Sequence, residues 1–116
     1  MKRILTVAAL MMAQSAMAGW YTGFELNSFA ESYEKFTNGT SDTGVDRFSA
    51  GIFHGYAMGV TSALEAQGLI CLPSQMKAGQ IAAIVAKYLK NNPETWNQAG
   101  ETIIFTSISR TFPCKK

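Results

Sequence analysis

The sequence contains few of the residues that carry out chemistry in proteins. Its 116 residues include a single histidine, His54, and two cysteines, and neither a Cys-x-x-Cys nor a Cys-x-x-Cys-His motif occurs. Metal and redox sites need such clusters, and acid–base catalysis needs titratable groups within mutual reach. The eight acidic residues are scattered, and no glycine-rich loop follows a strand to hold phosphate. The sequence therefore predicts no metal, no cofactor and no catalytic residues.

No apolar run is long enough to anchor the chain in a membrane. A basic start, Lys2-Arg3, precedes apolar residues 4–12, and a small-x-small cleavage site, Ala16-Met17-Ala18, follows. Polar residues stop the run well short of the roughly 20 apolar residues that a spanning helix needs. This pattern predicts a secretory signal peptide over residues 1–18. We expect the mature chain, residues 19–116, to be one small soluble domain in a bacterial periplasm.

An excess of charge is also missing from that mature chain. The sequence has ten Lys and Arg residues against eight Asp and Glu, and the two extra basic residues both lie in the predicted signal peptide. Binding to nucleic acid or to anionic lipid needs clustered, uncompensated basic residues. The sequence thus predicts neither nucleic acid nor a membrane surface as a partner.

The two cysteines, Cys71 and Cys114, occupy mirrored settings, Cys71-Leu-Pro and Phe-Pro-Cys114. Disulfides are typical of oxidising compartments, and small exported domains use them because their cores are marginal. Redox or metal chemistry is the alternative, but the spacing motifs for it are missing. We therefore predict a structural disulfide, which stabilises a loop of this length by about 4 kcal/mol in the chain-entropy model.

Apolar spacing predicts an all-α fold, a small bundle of four main helices stapled by that disulfide. The first helix covers Thr22–Phe36, and its apolar residues recur every three or four positions. The residues predicted to share its core face are Leu26, Phe29, Tyr33 and Phe36. Asn38-Gly39 marks the following turn, because both residues tolerate positive φ.

The second helix begins near Thr43, where Asp46 three residues later resembles a capping box. One stripe of this helix is apolar and is predicted to face the core: Val45, Phe48, Ile52, Tyr56, Val60 and Leu64. A second stripe is small: Gly51, Gly55, Gly59 and Ala63. Glycine in a helix costs about 1 kcal/mol relative to alanine, which indicates a close backbone approach. Packing within the molecule and a homodimer seam both remain open.

The third helix carries Ile81, Ile84, Val85, Tyr88 and Leu89 on one face. Asn92, Pro93 and Glu94 then resemble the N-cap, first-turn proline and first-turn acid of a fourth helix. This helix would bury Trp96, Ala99, Ile103 and Ser107. Residues Thr102–Ile108 are rich in β-branched side chains, so a strand is the alternative there. Antiparallel third and fourth helices would bring Cys114 back to Cys71.

Six short motifs occur in a fixed order: Gly55-Tyr56-x-x-Gly59-Val60, Cys71-Leu-Pro73, Gly79-Gln80-Ile81, Tyr88-Leu89, Pro93-Glu94 and Phe112-Pro113-Cys114. In this order and spacing they resemble the Rap/Tai immunity proteins of type VI secretion systems. The resemblance covers residues 45–114 and is specific through the combination of motifs. Many relatives carry a second cysteine pair, which this chain lacks, since Phe53 and Ala30 or Ser32 stand near those positions.

The resemblance implies a small helical inhibitor that protects a bacterium in the periplasm. Its partner would be a peptidoglycan amidase effector with a Cys-His active-site groove, which the inhibitor occludes. Such a protein needs no catalytic residues of its own. Members of the family often form dimers, so the resemblance also implies a homodimer.

The predicted effector-binding surface is the polar turn between the third and fourth helices. Its residues are Lys87, Lys90, Asn91, Asn92 and Glu94. Several of them also have purely structural explanations, as helix-start residues or as a solvated face. The loop 38–42 is a second candidate, because polar, turn-rich loops often carry recognition. We further expect the disulfide to brace the turn and so to reduce the ordering cost of binding.

Two other functions fit parts of the sequence. A periplasmic acid-stress chaperone can also be small, helical, dimeric and single-disulfide, and it would expose apolar surface at low pH. An enzyme would have to use His54, but a lone histidine within a helix is more often packed or simply exposed. An immunity protein is the preferred interpretation.

Overall fold

The computed structural model describes residues 19–40 and 43–115, and it contains four α-helices. They are α1 (Gly23–Thr37), α2 (Gly44–Ala66), α3 (Ala78–Asn91) and α4 (Gly100–Thr111), with a short 3₁₀ turn, Pro93–Thr95, between α3 and α4. The predicted all-α fold is confirmed, and Thr102–Ile108 is helical rather than a strand. The predicted signal peptide lies outside the described residues. None of the described helices combines the length and the apolar character needed to cross a membrane.

The first two helices begin where their sequences predict, but only the first has a complete capping box. Thr22 and Glu25 form a reciprocal capping box, in which the Glu25 carboxylate accepts from the Thr22 N–H at 2.9 Å. The Thr43 hydroxyl accepts from the Asp46 N–H at 3.1 Å. The Asp46 carboxylate does not return to Thr43 but accepts from the Ser32 hydroxyl at 3.2 Å. The start of α2 is therefore tied to the side of α1.

All four helices contribute to a single core. The buried apolar residues include Leu26 of α1, Phe53 of α2, Val85 and Leu89 of α3, and Ile103, Ile104 and Ile108 of α4. Phe29 and Tyr33 pack at the edge of this core. Phe36 was predicted to join them, but it is exposed, because it lies in the last turn of α1, beyond the buried part of the helix.

Helix α2 presents a different face to the core from the one predicted. Its buried line is Ala50, Phe53, Ala57 and Thr61. Of the predicted core stripe, Val45 and Phe48 are 75% and 71% exposed, and the other members are half-buried. Small side chains let two helices pack closely, and here Phe53 reaches the centre between two alanines. The predicted apolar stripe therefore lies at the edge of the contact between α2 and the core, and not at its centre.

The glycine stripe of α2 faces outward. A Cβ atom added at Gly51, Gly55 or Gly59 would meet no atom within 4 Å in the described part of the chain. The interpretation that these glycines serve helix packing within the molecule is therefore wrong.

Helices α3 and α4 form a hairpin closed by the predicted disulfide. Cys71 precedes α3, Cys114 follows α4, and their Cα atoms are 5.1 Å apart. The fourth helix starts later than predicted, at Gly100 rather than after Asn92. Pro93–Thr95 forms only one 3₁₀ turn, and the chain then crosses the start of α1 before helix formation resumes. Within α4, Ile103 and Ser107 are buried as predicted, whereas Trp96 and Ala99 before it are half-buried.

Candidate binding surface at the α3–α4 connection

The α3–α4 connection, residues 92–99, begins with Asn92. The Asn92 side chain donates to the Tyr88 carbonyl at 2.8 Å, and the backbone carbonyl of Asn92 accepts from the Thr95 hydroxyl at 2.8 Å. The amide therefore closes α3, and it makes no side-chain cap for the next turn. Asn92, Pro93 and Glu94 do take the predicted N-cap and first-turn positions, but in a 3₁₀ turn and without a side-chain cap, because the Asn92 amide donates to a carbonyl at the end of α3 instead.

Backbone hydrogen bonds fix the connection to the start of α1. The Gly23 N–H donates to the Gln98 carbonyl and the Phe24 N–H donates to the Trp96 carbonyl, each at 2.9 Å. In return the Gly100 N–H donates to the Tyr21 carbonyl at 2.7 Å. The first N–H groups of a helix have no acceptor within the helix. The connection supplies acceptors for two of these N–H groups, so its position and that of α1 depend on each other.

Trp96 forms the packed centre of the connection. Its indole Nε1 donates to the Leu89 carbonyl at 2.8 Å, and its ring meets the Phe24 ring edge to face at 6.0 Å. The backbone approach is close, since a Cβ atom on Gly23 would lie 2.6 Å from the Trp96 Cα atom. Only glycine fits there. The connection is consequently held by shape as well as by hydrogen bonds.

The structure divides the five predicted binding residues between two sides of α3. Lys87 and Asn91 are one helical turn apart and, with Asn92, line a groove of about 260 Å³. Lys90 faces a separate cavity of about 250 Å³, beside Trp96 and Glu34. Glu94 is exposed in the 3₁₀ turn. The residues surround the end of the hairpin and do not form one flat patch.

The two sides of the hairpin end differ in charge. Arg110 lies over the Tyr88 ring, 5.8 Å from its centroid, and adds a cation near the groove that Lys87 and Asn91 line. The opposite cavity has the carboxylates of Glu31 and Glu34 on its wall, facing Lys90. Opposed charge on two adjacent faces favours one docking orientation over others.

Two exposed aromatic residues beside the connection were not predicted to matter. Phe24 is 61% exposed although its ring contacts Trp96, and Trp20 just before α1 is 87% exposed. Aromatic residues are enriched at the centres of protein interfaces. The available signal was that Phe24 lies off the core stripe of α1, where a polar residue is expected.

A second exposed apolar surface lies where α1 leads into α2. Phe36, Val45 and Phe48 are all exposed there, next to an open cavity of about 310 Å³ that Arg47 and His54 also line. The alternative binding loop, 38–42, belongs to this end. Residues 38–40 are exposed, with Gly39 at φ +70°, and residues 41–42 lie outside the described part.

A buried polar pair lies behind the connection. The Tyr56 ring meets the Tyr21 ring edge to face at 5.2 Å, and a Cβ atom on Gly100 would lie 3.0 Å from the Tyr56 ring. The Tyr56 hydroxyl and Glu101 Oε2 are both buried, and neither has a partner in hydrogen-bond geometry. Burial, together with the nearby Glu101 carboxylate, raises the pKa of Tyr56. The phenol therefore stays protonated.

The arrangement suits binding rather than catalysis. The described residues contain no group of three or more His, Cys, Asp or Glu side chains that could hold a metal ion. His54 is half-buried on α2, with its ring 6.1 Å from that of Tyr33. The polar residues instead surround a connection that is packed through Trp96 and Phe24 and fixed to the start of α1.

Comparison with known proteins identifies one family. A family model described as Rap1a immunity proteins matches residues 22–114, which includes all four helices and both cysteines. The match confirms the resemblance found in the sequence motifs and extends it to α1. None of the curated proteins compared with the chain matches it.

Proposed function

The chain belongs to the Rap1a immunity protein family, and from this membership we propose that it neutralises a cognate peptidoglycan amidase effector of a type VI secretion system. Immunity proteins of this family are not catalytic, so they act by binding. The single observation that carries the proposal is the family match over residues 22–114. The amidase class, with its Cys-His active site, is proposed from the motif resemblance.

We place the action of the protein in the periplasm. The basic-apolar start of the sequence favours export and cleavage after Ala18. The disulfide between Cys71 and Cys114 supports the same compartment, since such bonds persist where the environment is oxidising. Peptidoglycan is also the substrate that an amidase effector would attack there.

The α3–α4 connection is the proposed inhibitory element. It projects polar side chains around Trp96 and Phe24 and is already fixed by three backbone hydrogen bonds to residues 21–24. A preordered element loses less conformational entropy on binding. We propose that this element enters the groove of the amidase, with Asn91 and Glu94 at its rim.

We propose a homodimer that uses the outward face of α2. Gly51, Gly55 and Gly59 lie open on that face, and the exposed Val45 and Phe48 belong to the same helix. Helix-forming sequences rarely keep three aligned glycines without a close contact. A second copy of α2 would supply that contact.

The test is binding and inhibition of the amidase encoded beside this protein's gene. The purified immunity protein should block peptidoglycan cleavage, and calorimetry should give its Kd. Glu94→Lys and Asn91→Trp should each weaken binding at least tenfold, about 1.4 kcal/mol, without lowering the thermal midpoint. Glu65→Lys, an exposed charge reversal at the end of α2, is the matched control and should leave the Kd unchanged.

Two outcomes would redirect the proposal. If Phe48→Glu abolishes effector binding while Glu94→Lys does not, the inhibitory surface lies at the α1–α2 end. Suppression of client aggregation at about pH 2 to 3, where carboxylates are protonated, without binding to the amidase, would favour the acid-stress chaperone.

A further inference from the structure

The carboxylate of Glu101 has one oxygen with no partner. Glu101 lies in the first turn of α4, and its Oε2 atom is buried without a hydrogen bond among the described residues. A buried carboxylate oxygen that lacks a donor is costly. The Tyr56 hydroxyl lies close enough to the Glu101 carboxylate to raise the pKa of the phenol, although the pair falls outside strict hydrogen-bond geometry. One phenol leaves most lone pairs of a carboxylate free, so the site can accept a further donor.

Gly19 lies directly against this site. A Cβ atom built on Gly19 would be 2.8 Å from Glu101 Oε2 and 3.1 Å from the Ala99 Cβ atom. For a carbon atom the first distance is a clash. For an ammonium nitrogen it is the ordinary length of a charge-assisted hydrogen bond to a carboxylate, about 2.7–2.9 Å.

Cleavage after Ala18 would place such a nitrogen at this position. The backbone N and a Cβ atom are two of the four tetrahedral substituents of Cα, with bond lengths near 1.5 Å. Rotation about the Cα–C bond of Gly19 by roughly a third of a turn exchanges their places by this geometry. A terminal residue can make that rotation freely. In the uncleaved chain the same nitrogen is a neutral amide that carries residues 1–18.

We propose that Glu101 is the binding site for the α-ammonium group of the mature chain, so that signal-peptide removal creates a salt bridge from Gly19 to α4. The inference rests on the proposed export and on cleavage before Gly19. The pair joins the segment before α1 to the first turn of α4, alongside the hydrogen bond from the Gly100 N–H to the Tyr21 carbonyl. Maturation thereby stabilises the same end of the bundle that carries the connection.

The test is a thermodynamic cycle that combines acetylation of Gly19 with Glu101→Gln. It uses residues 19–116 with the Cys71–Cys114 disulfide formed and a free amine at Gly19. Acetylation of that amine should raise the unfolding constant in urea about tenfold, as expected for the loss of a charge-assisted hydrogen bond. In Glu101→Gln, acetylation should change the unfolding constant less than twofold. Glu94→Gln, an exposed acid on the same connection, should retain the tenfold effect.

A second variant separates charge from position. One alanine inserted before Gly19 keeps a free amine but moves it away from Glu101, and it should weaken stability as much as acetylation does. Equal effects of acetylation in the parent chain and in Glu101→Gln, or no effect in either, would overturn the proposal. Mass spectrometry of the exported protein tests the cleavage site independently, because a different mature terminus contradicts the processing step alone.

Discussion

The two ends of the α3–α4 hairpin are held by different means. At one end the exposed Cys71 and Cys114 are joined covalently, beside an open groove of about 560 Å³. At the other end no covalent bond is present, and Trp96, Gly23 and three backbone hydrogen bonds hold the connection against α1. One end depends on a bond between two residues, whereas the other depends on the fit of several surfaces.

This difference changes the role expected of the disulfide. The 14 residues of α3 span about 21 Å at 1.5 Å per residue, so the bond lies far from the connection that it was expected to brace. The start of α1 supports the connection directly. Global stability and the order of the proposed binding surface should therefore be separable by mutation.

Removal of the disulfide should have the largest effect on stability. The double variant Cys71→Ser/Cys114→Ser should lose about 4 kcal/mol of unfolding free energy, since its unfolded chain is no longer cross-linked. Urea denaturation measures this loss. Under conditions where the variant is folded, its affinity for the effector should stay within about threefold, roughly 0.7 kcal/mol. A large loss of affinity would mean that the covalent end does order the connection.

Trp96→Ala removes the packing at the α3–α4 connection and should lower the free energy of unfolding by about 3 kcal/mol. A large packed side chain and its hydrogen bond to the Leu89 carbonyl are lost together. Affinity for the effector should fall with it. Trp20→Ala provides the control, since that ring is almost fully exposed and its loss should stay within about 0.5 kcal/mol. Similar losses in both variants would contradict the packed role of Trp96.

Gly23→Ala tests the close approach alone. The new Cβ atom would lie within 2.7 Å of the Trp96 backbone carbonyl oxygen, and overpacking of this kind costs about 2 kcal/mol. Gly59→Ala places the same methyl group on the open face of α2 and should instead stabilise the monomer by about 0.5–1 kcal/mol. In thermal denaturation, the midpoint should fall for Gly23→Ala and rise for Gly59→Ala. If Gly23→Ala leaves stability unchanged, the connection must be able to shift away from the new methyl group at little cost.

The smallest expected effect is a pH dependence of stability caused by Tyr56, which packs behind the α3–α4 connection. Its folded pKa is raised by burial and by Glu101, so its stabilising contribution is complete below about pH 10, the unfolded value, and is lost as pH rises above it. Urea denaturation at pH 9, 10 and 11 should therefore show a decline in stability above pH 10. Tyr56→Phe should remove that part of the alkaline decline in stability. Identical pH profiles would contradict the assignment.

Much of the fold was predictable because its signals are local. The four helices, the starts at Thr22 and Thr43, and the burial of Ile103 and Ser107 follow from spacing and capping within a few residues. The disulfide was predictable from the mirrored Cys-Leu-Pro and Phe-Pro-Cys settings and the predicted signal peptide. Its confirmation also fixes the antiparallel course of α3 and α4.

The remainder depends on contacts between distant residues. Asn92 resembled a helix start, but its side chain closes the preceding helix because the chain turns over α1. The core face of α2 was misassigned because close packing selected Ala50 and Ala57 over the larger Val45 and Phe48. At the candidate site, the five predicted residues do surround the connection. The contact between Phe24 and Trp96 could not be predicted, because it joins residues far apart in the sequence.

The isolated β-bridge between Thr22 and Ala99 also constrains the order of folding. These residues are 77 positions apart in the sequence, so their pairing closes a long loop that contains α1, α2 and α3, and such contacts form late. The capping box of Thr22 and Glu25 is local, whereas the acceptors for the Gly23 and Phe24 N–H groups come from Gln98 and Trp96. The first turn of α1 can therefore form early, but it is fixed in place only after the α3–α4 connection has folded against it.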